Sequence, residues 1–154
     1  IAEMRANAEL WITQGTLKFI ATRGDRLALM HASFTGTDQG PQAFLTETLA
    51  VGEINAEERI VAIVTFDLDD LDDALEELDA RYVAGEAGVH AASWSFVTRT
   101  TSAINRHEMP PTTPDSVMID HRLRATLGTD DLTAYIRSAW DLTPDLRVFI
   151  ESVH

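Results

Sequence analysis

The clearest pattern of apolar and polar positions lies between residues 44 and 82. Residues 44–54 and 59–67 are rich in threonine, valine, isoleucine, leucine and phenylalanine, which favour β-strands. The polar residues between them, 55–58, are typical of a turn, so we predict a β-hairpin. Both faces of the second strand are largely apolar, which indicates a central strand that is covered on both sides.

After this strand the period changes to that of an amphipathic helix. Its apolar positions recur three and four residues apart and form one stripe: Leu68, Leu71, Leu75, Leu78 and Tyr82. Asp67 is placed to cap the helix, and the aspartates that follow are favoured near the positive end of the helix dipole. Neighbouring carboxylates on a helix point in different directions, so we interpret the acidic run as a solvated face rather than a metal site.

The rest of the chain is read from the same two periodicities. The sequence predicts further helices over residues 1–11, 89–105 and 129–140, and further strands over residues 17–22, 27–34, 116–126 and 146–153. The tight-turn sequence of residues 23–26 joins the first two of these strands into a second hairpin. Because the strands cluster and hairpins dominate, we predict an α+β domain with a mainly antiparallel, curved sheet and helices on one face.

Composition narrows the class of protein. The chain has 154 residues, of which 45% are hydrophobic and 24% are charged, a balance typical of one globular domain. It has no apolar run long enough to cross a membrane. It has no cysteine, which removes disulfides and thiolate chemistry and fits a reducing compartment, so we expect a cytoplasmic protein. The net charge of −13 argues against binding to nucleic-acid phosphates.

Two short segments near the ends of the chain resemble each other. Phe19-Ile20 matches Phe149-Ile150 at an offset of 130 (149 − 19), and Trp11 matches Trp140 at an offset of 129 (140 − 11). If this similarity is a true repeat, the chain starts late in one structural unit and stops early in the next.

Four longer motifs carry a resemblance to a known family. They are ATRGDRLAL (21–29), EINAEERIV (53–61), FDLDDLD (66–72) and IDHR (119–122). Through them the chain resembles the SnoaL-like and ketosteroid-isomerase-like group of the nuclear transport factor 2-like superfamily. More narrowly, it resembles the tandem cone modules of bacterial multidomain regulators. The resemblance implies a cone-like α+β fold.

The order of the elements departs from that of the family. A cone domain begins with helices and ends with long strands, whereas here the long strands come first. We therefore expect one cone-like domain over residues 1–154, built from the later part of one repeat unit (1–85) and the early part of the next (89–154). The two parts either close on each other as a circularly permuted cone or complete each other between chains in a domain-swapped dimer.

Asp120 and His121 are the candidate catalytic residues. The resemblance implies that Asp120 is the counterpart of the acid–base aspartate of some cone enzymes, whose pKa an apolar pocket would raise. The alternation along the predicted strand points instead to His121, which shares the apolar face with Ile119 and Leu123. An ion pair with arginine would hold Asp120 ionised, so a structural role for this pair stays open.

The candidate ligand-binding residues are those placed to wall an apolar cavity: His31, Trp94, Arg122, Tyr135 and Trp140. For the histidine and the aromatic residues, ordinary core packing is the alternative. The other histidines show no metal-ligand spacing, so we predict neither a metal site nor a cofactor.

Two functions are compatible with these observations. The first is a small-molecule-binding or assembly module of a larger bacterial regulatory protein, without complete catalytic machinery. Its partners would be an apolar small molecule and either a second copy of the chain, as a homodimer, or neighbouring domains of a longer chain. The second is a cofactor-free isomerase or epoxide-hydrolase-type enzyme that uses Asp120 or His121 as its base. Neither function implies a nucleic-acid or membrane partner.

Overall fold

The computed structural model describes residues 11–37 and 43–154. The chain is of the α+β class, with a mostly antiparallel, open curved sheet and three helices. It divides into two compact units. The first contains the described residues up to Gly88 together with residues 150–154, and the second contains residues 89–149. Residues 1–10 of the first predicted helix lie outside the described residues, and Trp11 is the first residue of a strand rather than a helix end.

Seven strands and three helices form within the described residues. In chain order they are β1 (Trp11–Arg23), β2 (Leu27–Thr37), β3 (Ala43–Ile54), β4 (Ile60–Phe66), α1 (Leu71–Ala84), α2 (Ala91–Asn105), β5 (Met118–Asp120), β6 (Ala125–Leu127), α3 (Thr129–Leu142) and β7 (Ser152–Val153). A short 3-10 helix, Gly88–His90, precedes α2.

The sheet of the first unit has the order β4-β3-β2-β1-β7. Its four long strands are antiparallel neighbours joined in sequence, which confirms the predicted antiparallel class, and only β7 pairs in parallel. The prediction of a central position for residues 59–67 is wrong, because β4 lies at the edge of the sheet. Apolar residues on both faces indicated full burial, yet Ile63 is 59% exposed. An alternation pattern cannot distinguish a covered apolar face from an open one.

Helix α1 covers one face of this sheet. Leu29 and Val51 from the strands and Ala74 and Leu78 from the helix are buried there. Of the predicted stripe, Leu78 and Tyr82 are buried, whereas Leu68 precedes the helix and is 44% exposed, and the buried Ala74 lies outside the stripe. The predicted cap is wrong, because the helix begins at Leu71, four residues after Asp67. The main-chain carbonyl of Asp67 instead accepts the N–H of Asp70 at 3.1 Å, so the aspartates form a turn before the helix.

Arg23 fixes the end of β1 beneath α1. Its side chain is buried, and its Nε lies 2.6 Å from Oδ1 of Asp79 on the helix. Its Nη1 donates to the carbonyl oxygens of Thr22 and Ile150, each at 2.9 Å. One guanidinium therefore connects the first strand, the helix and the C-terminal segment, with its charge neutralised by a carboxylate.

The first hairpin turn is held by a carboxylate from outside the turn. Gly24 adopts a φ of 55°, and a Cβ at this position would overlap the carboxylate of Glu86. Oε2 of Glu86 accepts the main-chain N–H groups of Asp25 at 3.1 Å and of Arg26 at 3.3 Å. Oε1 of Glu86 lies 3.0 Å from Nε of Arg26. The turn therefore requires glycine both for its left-handed backbone and for this close approach.

The second hairpin turn lies at residues 55–58, as the sequence predicted, and Asn55 organises it. Oδ1 of Asn55 accepts the N–H groups of Glu57 at 3.1 Å and of Arg59 at 2.9 Å. Glu58 in the same turn adopts a φ of 57°, which is unfavourable for a residue with a Cβ.

The second unit contains α2, α3 and a two-stranded hairpin of β5 and β6. The single strand predicted over residues 116–126 is therefore wrong, because a turn at residues 121–124 interrupts it. The predicted strand over residues 146–153 is also too long, since only Ser152–Val153 form a strand. The side chain of Asn105 instead makes two hydrogen bonds to the main chain of Val148, at 2.8 and 2.9 Å.

Replacing Asp79 by alanine should destabilise the first unit by about 3 kcal/mol, because it leaves a buried guanidinium without its carboxylate. This value is at the low end for buried pairs, since the Asp79 side chain is 19% exposed. The double variant Arg23→Met with Asp79→Leu should lose much less stability. Urea denaturation of both variants measures the difference in the free energy of unfolding. If both variants lose the same free energy of unfolding, the loss comes from removal of the ion pair and not from the isolated charge of Arg23.

Glu58→Gly should stabilise the chain by about 0.5–1 kcal/mol, because glycine adopts a positive φ without the steric penalty of a Cβ. Glu57→Gly is the matched control in the same turn. Glu57 is not in the left-handed region, so glycine there should destabilise by a similar amount. Thermal unfolding should give melting temperatures that move in opposite directions. A shift of the same sign in both variants would contradict this account of the turn.

Candidate functional site

The cavity that we describe as the candidate site lies on the first unit. It has a volume of about 510 Å³. Most of its lining is apolar or small, and the remainder comes from the first turn and a few polar residues. The lining residues are Phe19, Thr22, Gly24, Asp25, Arg26, Leu27, Ala28, Met30, Gly52, Glu53, Ile54, Ile60, Ile63 and His154.

The strand register explains why a depression forms here. Ala28 on β2 pairs directly with Gly52 on β3, and Gly52 pairs with Ile63 on β4. Side chains of directly paired residues point to the same face of a sheet, so two of the smallest residues lie side by side. Phe19 and Met30 form the next pair on this face and are far larger. The cavity therefore has a floor of small residues and walls of large apolar ones.

The cavity opens on the face of the sheet opposite α1. Alternation along β2 places Leu29 on the helix-covered face and Ala28 and Met30 on the other face. Phe19 is 67% exposed on this second face. The apolar lining is thus accessible to a ligand, because no element of the first unit's described residues covers it.

Two charged residues that line the cavity are held in ion pairs. Glu53 lies 2.6 Å from Nη1 of Arg81 on α1, so its carboxylate is directed to the helix-covered face of the sheet, and Arg81 also pairs with Glu77 at 2.7 Å. The hydrogen bonds that Arg81 donates to Glu53 and then to Glu77 raise the pKa of Arg81 above its ordinary value. Arg26 is held by Glu86 in the turn. A ligand in the cavity would therefore meet mainly apolar surface.

The predicted catalytic residues lie on the hairpin of the second unit. Asp120 is the last residue of β5, and His121 is exposed in the turn that follows. Oδ1 of Asp120 accepts the N–H groups of Arg122 at 2.8 Å and of Leu123 at 3.1 Å. Oδ2 of Asp120 lies 2.8 Å from Nη2 of Arg122. Asp120 thus organises its own turn and pairs with a predicted site residue, Arg122.

These hydrogen bonds determine the protonation state of Asp120. The Arg122 side chain first, and the Leu123 N–H next, lower the pKa of Asp120 from 3.8 to about 2. The family resemblance implies a raised pKa, which requires an apolar pocket, whereas this carboxylate is surrounded by donors. A carboxylate with such a low pKa is a weak base at neutral pH.

The predicted ligand-binding residues are distributed over both units. His31 lies on β2, half-buried, on the same face as Leu29, with its Nε2 3.1 Å from Oε1 of Glu47. Trp94 is half-buried on α2. Tyr135 is exposed on α3, whereas Trp140 is buried and stacks on His107 with ring centroids 5.2 Å apart. The cavity is lined by other residues of the first unit, so the assignment of these five residues to a ligand site stays a prediction.

No group of three or more histidine, aspartate or glutamate residues in residues 11–37 and 43–154 is placed to hold a metal ion. No helix in those residues has the length and apolar character needed to cross a membrane.

Comparisons of the chain with protein-family models, with curated proteins and with solved structures gave no match.

Replacing Arg122 by glutamine should raise the pKa of Asp120 from about 2 toward 3.8, because its largest stabilising donor is lost. The value should stay below 3.8, since the Leu123 N–H still donates. The carboxyl ¹³C chemical shift of Asp120 against pH measures this change. Arg124→Gln in the same hairpin is the control and should leave the titration unchanged. An unchanged pKa in Arg122→Gln would assign the shift to the main-chain donors.

The same shift predicts the pH dependence of the hairpin. A carboxyl group with a lowered pKa stabilises the folded state above its unfolded pKa, and this contribution is lost as the pH falls through the folded value. The β5–β6 turn should therefore lose stability between pH 3.8 and about 2. Amide hydrogen exchange of Leu123 is the local measurement, and Arg122→Gln should show a smaller loss over this range.

Proposed function

We propose that this chain is a small-molecule-binding module of a larger bacterial regulatory protein, with a cone-like fold of the nuclear transport factor 2-like superfamily. The observation that carries the proposal is the cavity of about 510 Å³ on the open face of the sheet. Its volume falls within the range of about 300–1,000 Å³ that is usual for small-molecule sites. The curved antiparallel sheet, with α1 on one face and the cavity on the other, supports the cone-like fold.

The ligand that fits this cavity is an apolar small molecule. Phe19, Met30, Ile54 and Ile63 are large apolar residues of the lining, and burial of apolar surface is favourable by about 25 cal/mol per Å². A strongly charged ligand would have to compete with Glu86 for Arg26. No metal or other cofactor is part of the proposal.

The module would act in the cytoplasm, as a homodimer or beside neighbouring domains of a longer chain. An assembly role is supported by the apolar residues that the first unit leaves exposed on its open face, which include Leu17, Phe19 and Ile63. The cone would be closed within one chain or completed by a second chain.

The enzyme alternative from the sequence would use Asp120 or His121 as a base in an apolar pocket. The low pKa of Asp120 and its pairing with Arg122 speak against Asp120 as this base. We therefore put forward the binding role, because binding in the apolar cavity does not require a catalytic group.

Filling the cavity tests the binding role. Ala28→Trp places a large side chain on the cavity floor, and it should weaken binding of the neutral apolar dye Nile red by about tenfold or more, equivalent to ~1.4 kcal/mol. Fluorescence titration of the dye into the whole chain measures the affinity, and the melting temperature checks that the variant is folded.

Thr65→Trp is the matched control, because Thr65 pairs with Ala50 on the same face but does not line the cavity. It adds the same side chain and should leave the affinity for Nile red close to that of the original chain. Equal affinity in all three proteins would show that the dye binds elsewhere and would remove the cavity as the site.

A further inference from the structure

The outer edge of β4 is an unpaired strand with unusual composition. Within the described residues, β4 hydrogen bonds to β3 on one side and to no strand on the other. Its seven residues, IVAIVTF, contain no charged residue and no proline. Ile60, Val61 and Ile63 are 69, 60 and 59% exposed. Strand edges of this kind present free N–H and C=O groups that another strand can pair with.

The opposite side of the sheet, at β1, carries two features that protect it against pairing with another strand, and β4 differs in this respect. β7 pairs with β1 at Thr22 and Arg23. Farther along β1 lies Lys18, the only lysine in the chain and exposed. Edge lysines and short covering strands are two of the devices by which proteins prevent unwanted strand pairing. β4 has neither device, and the irregularity between Ile60 and Ala62 leaves residues 62–66 as a regular edge that a second strand can pair with.

The ends of β4 carry opposite charges. Arg59 immediately precedes the strand and Asp67 immediately follows it, and both are exposed. When two copies of one strand pair in antiparallel fashion, the beginning of each lies beside the end of the other. Arg59 of one copy would then lie near Asp67 of the other, at both ends of the paired region. Like strands in parallel would instead bring like charges together, which is unfavourable.

The regular part of the edge is short. Ile60 pairs with Ile54 but Ala62 pairs with Glu53, so the strand contains a register shift near Val61. This irregularity confines ladder-like pairing to residues 62–66 and places Ile63 and Val64 near its middle. A short interface of this kind gives a weak, concentration-dependent dimer.

We propose that β4 pairs antiparallel with β4 of a second copy of this chain and joins the two sheets edge to edge. The proposal rests on the homodimer put forward above and names its surface, whereas binding of an apolar molecule in the cavity does not require it. Ile60 and Ile63 belong to both the cavity and β4, so the cavities of the two copies would lie on either side of the new strand pair.

A charge at the centre of the edge tests the surface. Sedimentation equilibrium over about 5–500 µM should detect the dimer, since weak interfaces of this size dissociate in the micromolar range. Ile63→Lys should abolish dimerisation, whereas Leu17→Lys should retain it. Leu17 is similarly exposed, at 62%, on β1. A monomer at every concentration, a dimer unaffected by Ile63→Lys, or an open series of larger species would overturn the proposal.

Charge reversal tests the antiparallel orientation. Arg59→Glu and Asp67→Arg should each weaken the dimer by about tenfold, because each places like charges at both ends of the pair. The double variant exchanges the two charges and should restore the affinity. Failure of the double variant to recover would overturn the antiparallel arrangement. Nile red binding in the Arg59 and Asp67 variants separates failure of the dimer from failure of the proposed function, because neither residue lines the cavity. A variant that loses the dimer but still binds the dye leaves the proposed function standing.

Discussion

The first unit depends on how one buried cation is neutralised. Arg23 is 1% exposed at the point where β1, α1 and the C-terminal segment meet. An uncompensated charge in such a position would be strongly destabilising, so the fold must bring an acceptor to each side of the guanidinium. Asp79 supplies the carboxylate from the helix, and the carbonyl of Ile150 supplies an acceptor from the chain end. Docking of α1 and docking of the C-terminal segment are therefore coupled through one side chain.

This arrangement also explains why the two faces of the sheet differ. The single helix α1 is fixed by Arg23 on one face, and by the bonds of Arg81 to Glu53 on β3. The other face keeps its apolar residues exposed, including Leu17, Phe19 and Ile63. Exposed apolar surface of this extent is typical of binding and assembly surfaces. The cavity and the edge of β4 are two parts of this uncovered surface, and they share Ile60 and Ile63.

The class of fold could be predicted from the sequence, whereas the candidate site could not, and the reasons are physical. The alternation of β2 to β4 and the helical stripe report local periodicity, and the structure has the strands and, at Leu78 and Tyr82, the buried face of the helix. The depth of the cavity comes from Ala28 standing opposite Gly52, which is a matter of register between strands and has no signal within either strand. The role of Asp120 likewise depends on where the turn begins. A strand over residues 116–126 would have exposed one face to a pocket, whereas a turn directs the carboxylate to its own main chain.

The short parallel strand bears on how the chain closes. β7 pairs Ser152 with Thr22, an offset of 130 (152 − 22), which is the same offset at which Phe149 resembles Phe19. Ser152 and Val153 therefore lie beside Thr22 and Arg23, at the same offset as the two similar segments and within one chain. Exchange of this segment between two chains would re-form the bonds of Thr22 and Gly24 to Glu151 and Val153 with the second chain, together with the acceptor that Ile150 supplies to Arg23. These contacts are therefore the same in a closed chain and in a swapped dimer, whereas pairing at the edge of β4 would add a second copy without any exchange.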